Sequence, residues 1–195
     1  MIVKRPLKLN PPYDVFNQRL IGCTAPGLNT YGQITDGELL DEYQLLYDEG
    51  VREIVCLDDL SRSFGTDLSL TERMHKANDR WRCIDKHNRF NPENVDDQAL
   101  FLMTDFDGLV PSALDLLVSR MNDMIDKHTK TNTKIAIHCA YGIGRTGFLL
   151  AALLLSNNST NDIDGIIKSL REGYHPSAVE SASQYNLLQQ YVARF

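Results

Sequence analysis

The chain has no basic excess, no long apolar run and no cysteines in metal-binding order, and each absence excludes a class of protein. Lys and Arg number 20 against 26 Asp and Glu, a net charge of −6. A protein that tracks nucleic-acid phosphates or adheres to anionic lipid needs the opposite balance, so neither partner is expected. The longest apolar run, Phe148 to Leu155, is far too short to span a bilayer. Lys4 and Arg5 are not followed by an apolar stretch, so no signal peptide is read at the start. The four cysteines, Cys23, Cys56, Cys83 and Cys139, form no CxxC pair and have no His-rich neighbour, which argues against a zinc site. His75, His87, His128 and His175 show no ligand spacing, and no metal or cofactor is expected. Scattered cysteines without a leader fit a reducing compartment, so the expected location is the cytoplasm. What is present is 195 residues, 43% hydrophobic and 24% charged, the composition of one globular domain.

Caps and periodicity place the elements. Thr35-Asp-Gly-Glu38 is a capping-box pattern, followed by Leu39, Tyr43, Leu46 and Tyr47 at helical spacing and by Gly50 as a stop. Val51 to Leu57 reads as a strand, as do the short apolar segments Ala99–Met103 and Lys134–His138. Pro111 suits a helix start, with Leu114, Leu117, Val118, Met121, Met124 and Ile125 on one face. Thr146 to Ser156 reads as a helix apolar on all sides and therefore buried. Ile163, Ile166, Ile167 and Leu170 mark a further helix that stops near Gly173. Tyr185, Leu188, Tyr191, Val192 and Phe195 mark the last. Strands alternating with helices predict an α/β fold: a single domain over residues 1–195 with a central, mostly parallel sheet flanked by helices. Residues 61–97 are polar, with a weak helical period only, and read as an excursion on that domain.

Chemistry concentrates in Ile137-His-Cys-Ala-Tyr-Gly-Ile-Gly-Arg-Thr-Gly147. This is a strand, a glycine-containing turn and a helix start, with Cys139 entering the turn and Arg145 leaving it. Amides of such a turn converge on one point, and the following helix adds its positive end there, a geometry that binds a tetrahedral oxyanion. The same field favours the thiolate form of Cys139, a nucleophile. Arg145 offers a planar fork for two phosphoryl oxygens, which a lysine would not. Gly142 and Gly144 let the backbone curl around the anion.

The run His-Cys-x5-Arg-Thr-Gly resembles the signature of the protein tyrosine phosphatase superfamily, in particular its small dual-specificity-like members. Arg19–Gly27 and Gly50–Leu57 resemble core segments of those phosphatases, and His175-Pro-Ser-Ala-Val-Glu with Ser183-Gln184 resembles their closing stretch. The resemblance implies a cysteine-dependent protein phosphatase acting on phosphotyrosine, and on phosphoserine or phosphothreonine if the pocket admits them, through a phosphocysteine intermediate. Its partner is then a phosphoprotein or phosphopeptide. Cys139 would attack phosphorus, while Ala140, Tyr141, Gly142, Ile143, Gly144 and Arg145 hold the phosphoryl group. His138 would orient the loop, and the Thr146 hydroxyl would stabilise the departing thiolate. Asp105-Phe-Asp107-Gly108-Leu-Val-Pro111 resembles the family's general-acid loop, which puts the acid at Asp107. Asp105 is the runner-up, and helix capping by both is the plain alternative.

Four features of the sequence admit two readings each. Gln184 either orients the hydrolytic water or is a solvated first-turn glutamine. Tyr141 either shapes the rim or packs in the core. Cys56 resembles the backdoor cysteines that pair with the nucleophile in some relatives, and a small core hydrophobe is its plain reading. The cluster Lys76, Arg80, Arg82, Lys86 and Arg89 either steers an anion or is a solvated face. A phosphoinositide or RNA 5′-end phosphatase, or a phosphoprotein-binding module without turnover, are the rival functions. Absence of lysine from the loop weighs against inositol lipids, and a candidate acid beside Cys and Arg weighs against mere binding.

Overall fold

Alternation along the strands decides where the helices pack. In this computed structural model, which describes residues 18–27, 36–57, 99–100 and 111–194, four strands form one sheet. They are β1 (Leu20–Cys23), β2 (Val51–Cys56), β3 (Ala99–Leu100) and β4 (Lys134–His138), in the order β1-β4-β2-β3. Every pairing is parallel, so successive strands need crossovers; the helix over 36–48 lies in the connection from β1 to β2, and the helix over 111–131 in that from β3 to β4. Ile135 and Ile137 of β4 join Leu20 and Val55 on one face, while Ala136 joins Ile21, Cys23, Val51 and Ile54 on the other. That is the two-residue period of a strand buried on both sides.

Helix α1 (Asp36–Asp48) covers the second face with Leu39, Tyr43, Leu46 and Tyr47, all buried. Gly50, at φ +88°, turns the chain from α1 into β2. The first face takes the remaining helices: α2 (Pro111–Thr131), α3 (Gly144–Asn158), α4 (Ile163–Gly173) and α5 (Ala182–Val192). Helix α3 lies among α2, α4 and α5, with every side chain from Phe148 to Leu155 buried. Each such leucine contributes about 1.5–3 kcal/mol by leaving water. Helix α2 is tied to β2 by polar contacts as well. His128, buried near its end, places Nδ1 2.7 Å from Thr133 Oγ1 and Nε2 2.9 Å from Glu53 Oε2.

The α/β, parallel-sheet reading holds, and all five expected helices appear at the expected places. Two strand ends move: β2 stops at Cys56, one residue early, and β3 comprises Ala99–Leu100, with residues 101–103 outside the described segments. The 61–97 excursion, the basic cluster, Cys83 and Phe195 also lie outside them. Among the described residues, no helix is long and apolar enough to cross a membrane.

Candidate active site

Register brings three strand ends level: Cys23 of β1 and Cys56 of β2 both stand opposite His138 of β4. The next residue, Cys139, therefore sits at the carboxyl edge of the sheet, 4% exposed. From there the chain bends through residues 139–143 into α3. Gly142 adopts φ +67°, and a Cβ there would overlap the Cys23 carbonyl. Only glycine meets both demands. The loop is held from outside: Ala25 N–H donates to the Ala140 carbonyl at 3.1 Å, and the Tyr174 hydroxyl donates to the Gly142 carbonyl at 2.5 Å.

Helix α3 opens without a side-chain cap, because Ile143 occupies the N-cap position. Its first backbone bond runs from Gly147 N–H to the Ile143 carbonyl, at 2.8 Å. The amides of residues 144–146 precede that bond and stand where a helix collects positive potential. Arg145 and Thr146 are both buried. The Thr146 hydroxyl donates to Cys139 Sγ at 3.4 Å. His138 Nδ1 lies 3.3 Å from the Cys139 carbonyl; a carbonyl only accepts, so this contact calls for the proton on Nδ1. Cys139, Arg145, Thr146 and His138 thus meet in one enclosed loop, with Ala140, Gly142, Ile143 and Gly144 as its backbone.

Behind the loop, residues 171–184 form a second wall. Gly147 passes so near this wall that a Cβ there would lie 2.8 Å from Ala178 Cβ. Val179 is buried at φ +56°, a region a β-branched residue rarely adopts. Arg171 braces it by donating through Nε to the Ala178 carbonyl and through Nη2 to the Val179 carbonyl, each at 3.1 Å. Gln184 is 1% exposed, so the solvated-glutamine reading is corrected. Its Oε1 accepts from Glu180 N–H at 2.9 Å, and it forms a reciprocal capping box with Ser181 at the start of α5. Its Nε2 faces Gly144, and the exposed Glu180 lies beside the same glycine.

Tyr141 is 54% exposed at the rim, which corrects the packed-core alternative. Asp107 and Asp105 lie outside the described residues. No disulfide joins Cys23, Cys56 and Cys139. Burial pushes the Cys23 thiol far above its ordinary value, and Cys139, Glu42 and Cys56 add to the effect through their charges. Glu42 is itself buried and accepts from Gly27 N–H at 2.5 Å, fixing the segment that carries Ala25. Cys23, Glu42, Tyr174 and Arg171 escaped the sequence reading. Only Cys23 left a trace there, as a strand-end cysteine in the segment resembling the family's first core strand.

Comparison with known proteins agrees with this geometry. The pattern of the Protein-tyrosine phosphatase family matches residues 72–194. Receptor-type tyrosine-protein phosphatase eta of Gallus gallus is 29% identical over 148 residues, covering 69% of this chain. The match spans 10% of that receptor's length. The crystal structure of kinase associated phosphatase, with serine substituted for its catalytic-site cysteine, superposes with a TM-score of 0.72 at 18% identity, over 98% of this chain and 97% of that one. Human DUSP28 superposes with a TM-score of 0.58 at 11% identity, over 98% and 97%. The fold is that of these small phosphatases, and on the family match the chain belongs to the protein-tyrosine phosphatases.

Proposed function

We propose that this protein is a cysteine-dependent phosphomonoesterase acting on phosphoproteins, with phosphotyrosine as the preferred group. The observation that carries the reading is the 3.4 Å hydrogen bond from Thr146 to Cys139 Sγ across a glycine loop that runs into an uncapped helix. A buried thiol at that point has an oxyanion cradle in front of it and a donor ready for its negative charge behind it.

In this mechanism the Cys139 thiolate attacks phosphorus in line with the leaving oxygen. The S–P bond forms as the P–O bond breaks, and Asp107 gives its proton to the departing alkoxide or phenoxide. Loop amides and the Arg145 fork hold the three equatorial oxygens as they flatten into one plane in the transition state. Water then attacks the phosphocysteine, losing a proton to Asp107, while Thr146 steadies the thiolate as it leaves. His138 holds the loop's first carbonyl. Gln184 takes a positioning role, since its buried amide supports the 180–181 turn beside Gly144. We read residues 1–195 as a single domain.

Loop composition favours phosphopeptides. Ala140, Tyr141 and Ile143 bring no positive charge, in a chain whose net charge is −6. Extra phosphates of an inositol lipid would meet nothing there to neutralise them. The test compares kcat/KM across phosphotyrosine, phosphoserine and phosphothreonine peptides, phosphoinositides and RNA 5′-triphosphate ends, in EDTA. Highest activity on phosphotyrosine peptides, lost in Cys139→Ser while that variant still binds them, is the expected outcome. Highest activity on a phosphoinositide or an RNA end would replace the substrate class, and full activity of Cys139→Ser would remove the nucleophile.

A further inference from the structure

A chain of contacts runs from the end of α4 to the centre of the anion loop. Tyr174 follows Gly173, and its backbone is fixed by the helix end, where its N–H donates to the Leu170 carbonyl at 2.8 Å. Its side chain is 7% exposed and crosses β1 where Gly22 leaves room; a Cβ on Gly22 would overlap the ring. The hydroxyl at its tip reaches the Gly142 carbonyl. Residues 142 and 174 are far apart in sequence, and neither the loop signature nor the helix pattern links them.

We infer that Tyr174 is a positioning residue of the oxyanion cradle, which sets the plane of the Gly142–Ile143 peptide. This inference rests on the phosphatase reading above. The described chain holds no cis peptide, and in a trans peptide the C=O and the next N–H point in opposite directions. Drawing the Gly142 carbonyl outward onto Tyr174 therefore turns the Ile143 N–H inward, toward the site of the phosphoryl oxygens. Gly142, at φ +67° and with no Cβ, has little of its own to hold that peptide in one orientation. The Cys23 carbonyl stops it from one side and the Tyr174 hydroxyl holds it from the other. An amide preorganised in this way stabilises developing charge without reorganising during the reaction.

The hydroxyl is separable from the ring. Tyr174→Phe keeps the packing over Gly22 and removes only the donor. The probe is tungstate, a tetrahedral oxyanion that binds without turnover, measured by calorimetry beside kcat and KM on a phosphotyrosine peptide. Tyr174→Phe is expected to weaken tungstate binding about three- to tenfold, the effect of one hydrogen bond, with the loss in kcat exceeding the rise in KM. Ile167→Val trims the packing of α4 without touching the loop, and is expected to lower the melting temperature while leaving tungstate affinity unchanged. Unchanged affinity in Tyr174→Phe, or an equal loss in Ile167→Val, would overturn the positioning role and leave the phosphatase reading standing. A wild-type protein that neither binds tungstate nor cleaves any phosphomonoester would overturn both.

Discussion

Cys139 and Cys23 sit at the same edge of neighbouring strands, yet their contacts differ. Cys139 faces a donor hydroxyl and the start of a helix, whereas Cys23 is fully enclosed beside other acidic groups, which pushes its thiol upward and keeps it protonated. Iodoacetamide at pH 7, followed by peptide mass mapping, is therefore expected to alkylate Cys139 and spare Cys23. Labelling of Cys23 should appear only as pH rises toward its displaced value, and faster labelling of Cys23 than of Cys139 would contradict the assignment. Asp107→Ala should slow cleavage of phenyl phosphates about 10²–10⁴-fold, and less for leaving groups that depart without a proton. If Asp105→Ala gives that pattern instead, Asp105 is the acid. Residues contiguous with Cys139 were legible in the sequence because the loop is built from one continuous run. Tyr174, Glu42 and Arg171 were not, because only tertiary folding carries them to the loop.

Helices were legible where one face or all faces are apolar. The α4 boundaries, the α1 stop at Gly50 and the buried α3 followed from period and caps alone. β3 was harder, since a strand set by hydrogen bonds to a neighbour has ends that depend on that neighbour. Polar ties between elements were also silent in the sequence. His128 carried no ligand spacing and received no role, yet it joins α2 to β2 through Glu53 and Thr133. Among the described residues, His128→Ala would leave the largely buried Glu53 carboxylate with the Lys127 ammonium at 3.5 Å as its ion-pair partner. A loss of about 1–3 kcal/mol is expected in urea unfolding, with kcat on phosphotyrosine peptide preserved in the folded protein. A loss below about 0.5 kcal/mol, the range of ordinary surface changes, would show that the tie contributes little.

For the molecule as a whole, the sequence specified class more firmly than order. Alternating strand and helix patterns required a parallel sheet with crossovers, but nothing in them places β4 between β1 and β2. That placement has a functional consequence. A central β4 puts Cys139 between two strands whose ends, Cys23 and Cys56, stand level with His138, so the loop is walled on both sides. Helix α3 then starts directly behind it, with its whole first half buried in the core, and the anion loop inherits the rigidity of the most deeply packed element. On the function proposed above, the loop is a local positive site on a molecule of net charge −6, suited to a single phosphoryl group. The reaction proposed for the loop is covalent chemistry at one atom, Cys139 Sγ. Rapid quenching of wild-type protein with a phosphotyrosine peptide, followed by mass spectrometry, should find one phosphoryl group on Cys139, formed before phosphate is released and absent from Cys139→Ser. Turnover with no phosphoryl group on the protein, or with the group on any residue other than Cys139, would contradict it.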